Sequence, residues 1–211
     1  MKTIAFVTQK GGAGKSTLCI SCAVAAVEAG KNVLVLDTDP QKTVYEWWER
    51  REAESPVVGV VKSNELAAFV ERAKGNGFDY VFVDTGGKSD PSTNAAIESA
   101  DFCVVPCRPT IADISAVRET IETAKTLKKP VGFVLTQTLA RERQEKLQQA
   151  AALNAFGVLS PVRIVSRGDY QDSQGVGLGV TEYAPEGKAA EETKQLWEWI
   201  VSRANKISFT G

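Results

Sequence analysis

The chain has 211 residues, with 25 basic and 26 acidic side chains, four cysteines and no histidine. A chain of this length fits one domain that buries roughly 70% of its unfolded surface without staples, and no run approaches the roughly 18 apolar residues of a membrane span. Without histidine, Ser-His-Asp and Cys-His nucleophiles and His-ligated metals are excluded, so chemistry must rest on Asp, Glu, Lys, backbone amides or a bound group; the net charge of −1 gives no overall attraction to nucleic acid.

Short β-branched runs alternate with helical stretches. Thr3–Thr8 reads as a buried strand, and Ser16–Ala29 as a helix that Gly30 stops. Met1-Lys2 leads into that strand without the charged and apolar regions of a secretory leader, so no signal peptide is expected. Val33–Asp37 is a second strand, followed by a helix through Trp47 and Trp48. Further strands are expected at Val57–Val61, Tyr80–Asp84, Phe102–Pro106, Val131–Thr136 and Val162–Val165. Helical patterns fall near Asn64–Lys74, Ser92–Ser99, Ala112–Leu127, Arg141–Phe156 and Ala189–Lys206. Gly75-Asn76-Gly77 and Gly175–Gly179 read as loops. Near-continuous apolar strands alternating with helices predict an α/β fold of three layers, a mostly parallel central sheet flanked by helices on both faces. No repeat or linker divides the chain, so residues 1–211 are expected to form one domain.

Gln9-Lys10-Gly11-Gly12-Ala13-Gly14-Lys15-Ser16-Thr17 closes the first strand and opens the first helix. Strand, glycine turn and helix N-terminus is the context a phosphate-binding loop requires. Glycines let backbone amides wrap the phosphates, the helix dipole favours their charge, Lys15 adds a point charge, and Ser16 is placed to reach Mg²⁺ through its hydroxyl. The full G-x-x-x-x-G-K-[ST] spacing puts its first glycine at position 9, where this chain has glutamine.

Lys10-Gly11-Gly12-Ala13-Gly14-Lys15-Ser16-Thr17 resembles the deviant Walker A motif, K-G-G-x-G-K-[ST]-T, of the ParA/MinD family of ATPases. Asp37-Thr38-Asp39-Pro40-Gln41 is similar to that family's D-x-D-P-Q segment, and the apolar strand ending in Asp84 to its Walker B aspartate. The resemblance implies a P-loop NTPase fold, ATP and Mg²⁺ as ligands, and hydrolysis of ATP to ADP and phosphate. It implies an ATP site of Lys10, Gly11, Gly12, Ala13, Gly14, Lys15, Ser16 and Thr17, with Lys10, Lys15 and Asp39 as catalytic residues. Lys15 would contact phosphate oxygens in its own subunit. Lys10 would reach the partner's phosphates across a nucleotide-sandwich homodimer and support the leaving group, as an arginine finger does. Asp39 would position the attacking water, and a turn or helix-cap role before Pro40 is compatible with the same residue. Ser16, Asp37 and Asp84 would hold Mg²⁺, the carboxylates through its waters, which offsets the desolvation of two acids ending buried strands. In Thr85-Gly86-Gly87-Lys88, which follows Asp84, the glycines read as a hinge sensing the γ-phosphate. Gln137 is the candidate for an amide contact to adenine, with a solvated loop glutamine as the competing reading.

Cys19-x-x-Cys22 falls inside the first helix, and Cys103 and Cys107 bracket the end of a buried strand. Those positions favour small core residues over a metal or disulfide site, although the nitrogenase iron protein, a relative, holds an iron–sulfur cluster between subunits. One member of each tryptophan pair, Trp47/Trp48 and Trp197/Trp199, is expected in the core. Glu191, Glu192 and Glu198 in the last helix argue against a membrane anchor, which anionic lipid would require to be basic.

ParA-type ATPases bind DNA without sequence preference as ATP dimers, and residues 108–146 hold eight basic side chains against five acids. Arg141, Arg143, Lys146, Arg163, Arg167 and Arg203 are the candidate DNA contacts, with solvated helix faces as the alternative. The resemblance implies a cytoplasmic, nucleoid-associated ATPase that segregates or positions a plasmid, a chromosome region or a protein assembly. A ParB-like or cargo-adaptor protein would stimulate hydrolysis. An accessory ATPase of conjugative DNA transfer is a close variant. The alternatives are a metabolic or iron–sulfur-assembly P-loop enzyme and a MinD-like membrane-positioning ATPase.

Overall fold

Strand β1 (Lys2–Phe6) runs through the middle of the sheet, and Ile4, Ala5 and Phe6 have no exposed surface on either face. The other strands are β2 (Val33–Asp37), β3 (Val57–Val60), β4 (Tyr80–Asp84), β5 (Phe102–Cys107), β6 (Val131–Leu135) and the two-residue β7 (Val158–Leu159). Every pairing is parallel, in the order β3-β2-β4-β1-β5-β6-β7. The chain winds from β1 outward through β2 and β3, returns to β4, and then crosses to β5, β6 and β7. That reversal opens a crevice at the carboxyl ends of the central strands, where ligands of open α/β sheets bind. The computed structural model describes residues 1–87 and 91–206. Lys88, which follows the expected hinge glycines, lies outside the described residues.

The helices are α1 (Lys15–Glu28), α2 (Thr43–Glu49), α3 (Leu66–Lys74), α4 (Pro91–Ser99), α5 (Ile111–Ala116), α6 (Arg118–Thr126), α7 (Gln144–Ala151), α8 (Asp169–Gly175), α9 (Val180–Tyr183) and α10 (Lys188–Lys206). The period-two alternation of the strands sorts side chains between two cores. Phe6, Val35, Phe82 and Val104 point to one face and pack with α1, α2, α8, α9 and α10. Ala5, Leu36, Val83 and Val105 point to the other and pack with α3, α4 and α6. The three-layer, parallel α/β fold expected from the apolar pattern is therefore present. Trp197 and Trp199 are both buried, the first edge-on to Tyr80 at 4.9 Å and the second edge-on to Phe102 at 6.0 Å. Gly132 makes room for that second pair, since a Cβ there would fall 2.5 Å from Phe102 and 2.6 Å from Trp199. Trp47 is buried while Trp48 is half-buried against Tyr45.

The strand boundaries expected along the first 135 residues agree with the structure to within two residues, but the later elements differ. Val162–Val165 is not a strand. It runs past the end of β6, with Ile164 N–H donating to Leu135 C=O at 2.8 Å and a single bridge between Val165 and Thr138. The edge strand is β7 instead, stopped by Ser160-Pro161, because proline supplies no donor to continue the ladder. The helix expected over Ala112–Leu127 is divided at Val117, and the one over Arg141–Phe156 is α7 followed by a 3₁₀ turn at Ala152–Ala155. Helices α8 and α9 carry too few apolar positions, and too many nearby glycines, to show a helical period.

Candidate functional site

The loop after β1 takes its shape from two glycines in the left-handed region, Gly12 at φ 72° and Gly14 at φ 96°, where a side chain is strained. Gly14 is also the N-cap of α1 and brings no side-chain acceptor, so the first N–H groups of the helix are left facing the crevice. Two groups at the end of β6 orient the loop from behind. Thr136 Oγ1 donates to Ala13 C=O at 2.8 Å, and Gln137 Nε2 donates to Gly12 C=O at 2.6 Å. With those carbonyls held backward, the loop amides turn toward the crevice, as an anion site requires. From the far side Gly87 passes so close that a Cβ would lie 3.3 Å from the Gly11 backbone.

The resulting cleft has a volume of about 800 Å³ and is lined by Gly11, Gly12, Gly14, Lys15, Ser16, Thr17, Asp39, Gly86, Gly87 and Gln137, among others. The two loop lysines differ. Lys15 is buried and lines the cleft, whereas Lys10 is half-buried and is not part of its wall.

Below the loop, the register of the sheet sets Asp37 directly opposite Asp84 at the ends of β2 and β4. Asp37 is fully satisfied: Oδ1 accepts the N–H of Asp39, and Oδ2 accepts those of Val44 and Tyr45, each at 3.0 Å. It thus caps α2 and shapes the segment carrying Asp39. Burial pushes its carboxyl pKa up, against those hydrogen bonds. Asp84 accepts from Ser16 Oγ at 2.7 Å through Oδ2, but Oδ1 is buried with no partner among the described residues. Burial first, and then the charge of Asp37, push the Asp84 carboxyl up to about 8. An orphaned buried carboxylate oxygen beside a serine hydroxyl and a phosphate loop suits a hydrated dication. Among the described residues no three Cys, Asp or Glu converge to hold a metal by themselves. Asp39 is half-buried on the cleft wall and accepts the Gln41 N–H at 2.9 Å, an Asx turn that aims the loop across the opening.

A second cavity of about 190 Å³ opens behind the loop and shares Gly14, Thr17 and Gln137 with the cleft. Its remaining wall comes from Ile164, Arg167, Tyr170 and Gln171, among others. Sequence reasoning did not bring this group to the site because α8 carries no legible period. Of the candidate nucleic-acid contacts, Arg141 and Arg143 are exposed at the start of α7. Lys146 pairs with Glu142 at 3.4 Å, and Arg167 with Glu192 of α10 at 2.6 Å. Arg203 stacks over Trp199, and Arg163 is half-buried with its Nη1 unpartnered among the described residues. Cys19 and Cys22 lie in the core on one face of the sheet and Cys103 and Cys107 in the core on the other, all four as free, buried thiols pushed up in pKa by desolvation.

Parallel strands, a glycine loop feeding a helix, and carboxylates ending two neighbouring strands define a P-loop nucleotide-binding fold. Residues 4–169 match the CobQ/CobB/MinD/ParA nucleotide binding domain, and the chain belongs to that family. Protein virC1 of Rhizobium radiobacter is 31% identical over 146 residues, which cover 66% of this chain and 61% of virC1. The chain thus matches about three-fifths of virC1's length. The maintenance of carboxysome distribution protein A (McdA) of Halothiobacillus neapolitanus is 27% identical over 212 residues, covering 94% of this chain and 96% of that protein. Among solved structures, the septum site-determining protein MinD of Pyrococcus horikoshii, complexed with Mg-ADP, superposes with a TM-score of 0.78 at 19% identity, covering 98% of each chain. The ATP complex of a Cyanothece McdA variant superposes with a TM-score of 0.76 at 17% identity, covering 98% of this chain and 96% of that one. The family resemblance read from the loop residues is borne out, and the structural likenesses show a shared fold.

Proposed function

We propose that the chain is a ParA-type ATPase that dimerises on ATP, holds DNA without sequence preference in that state, and positions a cargo until a partner protein stimulates hydrolysis. The observation that carries this reading is the difference in burial between the two loop lysines. Lys15 is buried within its own cleft, while Lys10 stands outside the wall of that cleft and is suited to serving a partner's. The names of the relatives support the class: one maintains carboxysome distribution and one determines the septum site.

In this mechanism the amides of Gly11–Thr17 and the ammonium of Lys15 bind the phosphates, and positioning with charge neutralisation lowers the barrier. Bound Mg²⁺, held by Ser16 and through water by Asp37 and Asp84, would draw charge from the phosphate oxygens. Asp39 orients the attacking water from the cleft wall. Lys10 neutralises charge on the partner's phosphates, which ties turnover to the dimer. Gly87, which lies against the Gly11 backbone, is placed to sense the γ-phosphate state of the loop. Arg141 and Arg143, exposed and outside any ion pair among the described residues, are the leading DNA contacts, with Lys146, Arg163, Arg167 and Arg203 around them. Among the described residues no helix is long and apolar enough to cross a membrane.

The test compares light scattering and retention on arbitrary duplex DNA with ATP, with ADP and without nucleotide. The reading expects dimer and salt-sensitive DNA retention with ATP alone. A dimer without DNA retention removes the DNA-carrier part, and binding to anionic vesicles in its place selects the membrane-positioning alternative.

A further inference from the structure

We propose that Gln137 is a positioning residue of the phosphate loop, which presets the loop for phosphate and does not read the base of the nucleotide. The proposal rests on the reading of the glycine loop as the phosphate site. Two neighbours at the end of β6 reach two successive carbonyls of that loop. Thr136 Oγ1 donates to Ala13 C=O at 2.8 Å, and Gln137 Nε2 donates to Gly12 C=O at 2.6 Å.

That arrangement is not available to an extended chain, because successive side chains of a strand point to opposite faces. Gln137 breaks the alternation by taking the left-handed conformation, at φ 51°, which turns its side chain to the same loop as that of Thr136. Lys42 and Lys128 are the other described residues besides glycine with a positive φ, and both flank helix ends. Gln137 flanks none. Its neighbours are pinned instead, with Thr136 N–H donating to Cys107 C=O at 2.9 Å and Thr138 N–H to Ile164 C=O at 3.1 Å. The sheet therefore holds an unfavourable backbone in place, as folds do where a side chain must be aimed.

The bond to Gly12 decides where a loop amide points. Gly12 C=O and Ala13 N–H belong to one planar trans peptide unit and point in opposite directions. Ala13 C=O and Gly14 N–H are related in the same way. Drawing both carbonyls toward Thr136 and Gln137 sends both amides away from them, the direction an anion in the loop needs. Gln137 also lines both the 800 Å³ cleft and the 190 Å³ cavity behind the loop. The amide nitrogen that the sequence offers to adenine is already engaged by the loop.

The experiment measures the affinity of the full chain for ATP, GTP and inorganic tripolyphosphate, each with Mg²⁺, in the wild type, Gln137→Ala and Gln137→Asn. Tripolyphosphate carries no base. Gln137→Ala is expected to weaken all three ligands by the same factor, about three- to tenfold, the scale of one lost hydrogen bond. The preference between ATP and GTP is expected to stay unchanged. Asparagine tolerates the left-handed backbone but is one methylene too short to reach Gly12. Gln137→Asn is therefore expected to bind as weakly as Gln137→Ala while unfolding at a higher temperature. Weakening confined to ATP, or a changed preference between ATP and GTP, assigns Gln137 to the base and overturns the proposal. Unchanged affinity in Gln137→Ala, or wild-type affinity in Gln137→Asn, overturns it as well, and so does a wild type that binds ATP but not tripolyphosphate. A wild type that binds none of the three removes the phosphate-site reading itself, and the proposal with it.

Discussion

Asp37 and Asp84 face each other at the ends of adjacent parallel strands, both fully buried, and only one of them is satisfied. Three backbone N–H groups serve Asp37, whereas Asp84 has the Ser16 hydroxyl on one oxygen and no partner among the described residues on the other. The pair is a local destabilisation held in place by the surrounding sheet, of the kind found where a fold is built around a ligand.

Asp84→Asn is therefore expected to stabilise the ligand-free protein while abolishing its stabilisation by Mg-ATP. The folded-state pKa of Asp84 is raised to about 8 from an ordinary 3.8. Between those values the native state binds the proton more tightly than the unfolded chain does. The Asp84 contribution to stability therefore falls as pH rises through that window and is flat above it. Thermal unfolding at pH 8 is expected to give the variant a Tm higher by about 3 °C or more, with the gap closing toward pH 4.

Asp39→Ala is expected to dimerise on ATP and to turn over roughly 100-fold more slowly, the scale of removing one group that orients a reacting water. Among the described residues its carboxylate accepts from the Gln41 N–H, a local turn contact, so the fold is expected to survive. Normal turnover in this variant removes the role given to Asp39.

Arg51 ties the end of α2 to the start of α9. Its guanidinium meets both oxygens of Glu182, at 2.8 and 2.6 Å, and also donates to Ser55 and Gly177 carbonyls. Glu182 is a quarter exposed, so the penalty of Arg51→Ala is discounted to about 2–3 kcal/mol at pH 7. Burial acts to raise the Glu182 pKa, but Arg51 and the Gly179 N–H outweigh it and hold the pKa below the ordinary 4.5. The contribution of the pair is thus complete above that value and is lost as pH falls through the folded-state pKa. The stability gap between the wild type and Arg51→Ala should narrow in acid, leaving the part due to the Ser55 and Gly177 carbonyl bonds.

Arg141→Ala combined with Arg143→Ala is expected to weaken DNA retention and to lower the slope of log affinity against log salt by about 1 for each arginine that meets a phosphate. Arg167→Ala is expected to reduce that slope less, because Glu192 already neutralises its charge. Equal effects from the two changes move the DNA face toward α8.

The sequence by itself determined the phosphate loop and the identities of the acids around it. Closely spaced glycines dictate their own backbone, as Gly12 and Gly14 do on either side of Ala13, and uninterrupted apolar runs such as Tyr80–Asp84 declare buried strands with an acid at the end. Only the tertiary structure decided which groups meet. It set Asp37 against Asp84 by strand register, turned Gln137 back onto the Gly12 carbonyl, and brought Arg51 to Glu182 across 131 residues and Arg167 to Glu192 across 25. It also placed the two cysteine pairs on opposite faces of the sheet and built the second cavity from the short helix α8. Periodicity along a chain records which face of an element is buried, whereas charge pairing and hydrogen bonding depend on the distance between elements, and only packing determines that distance.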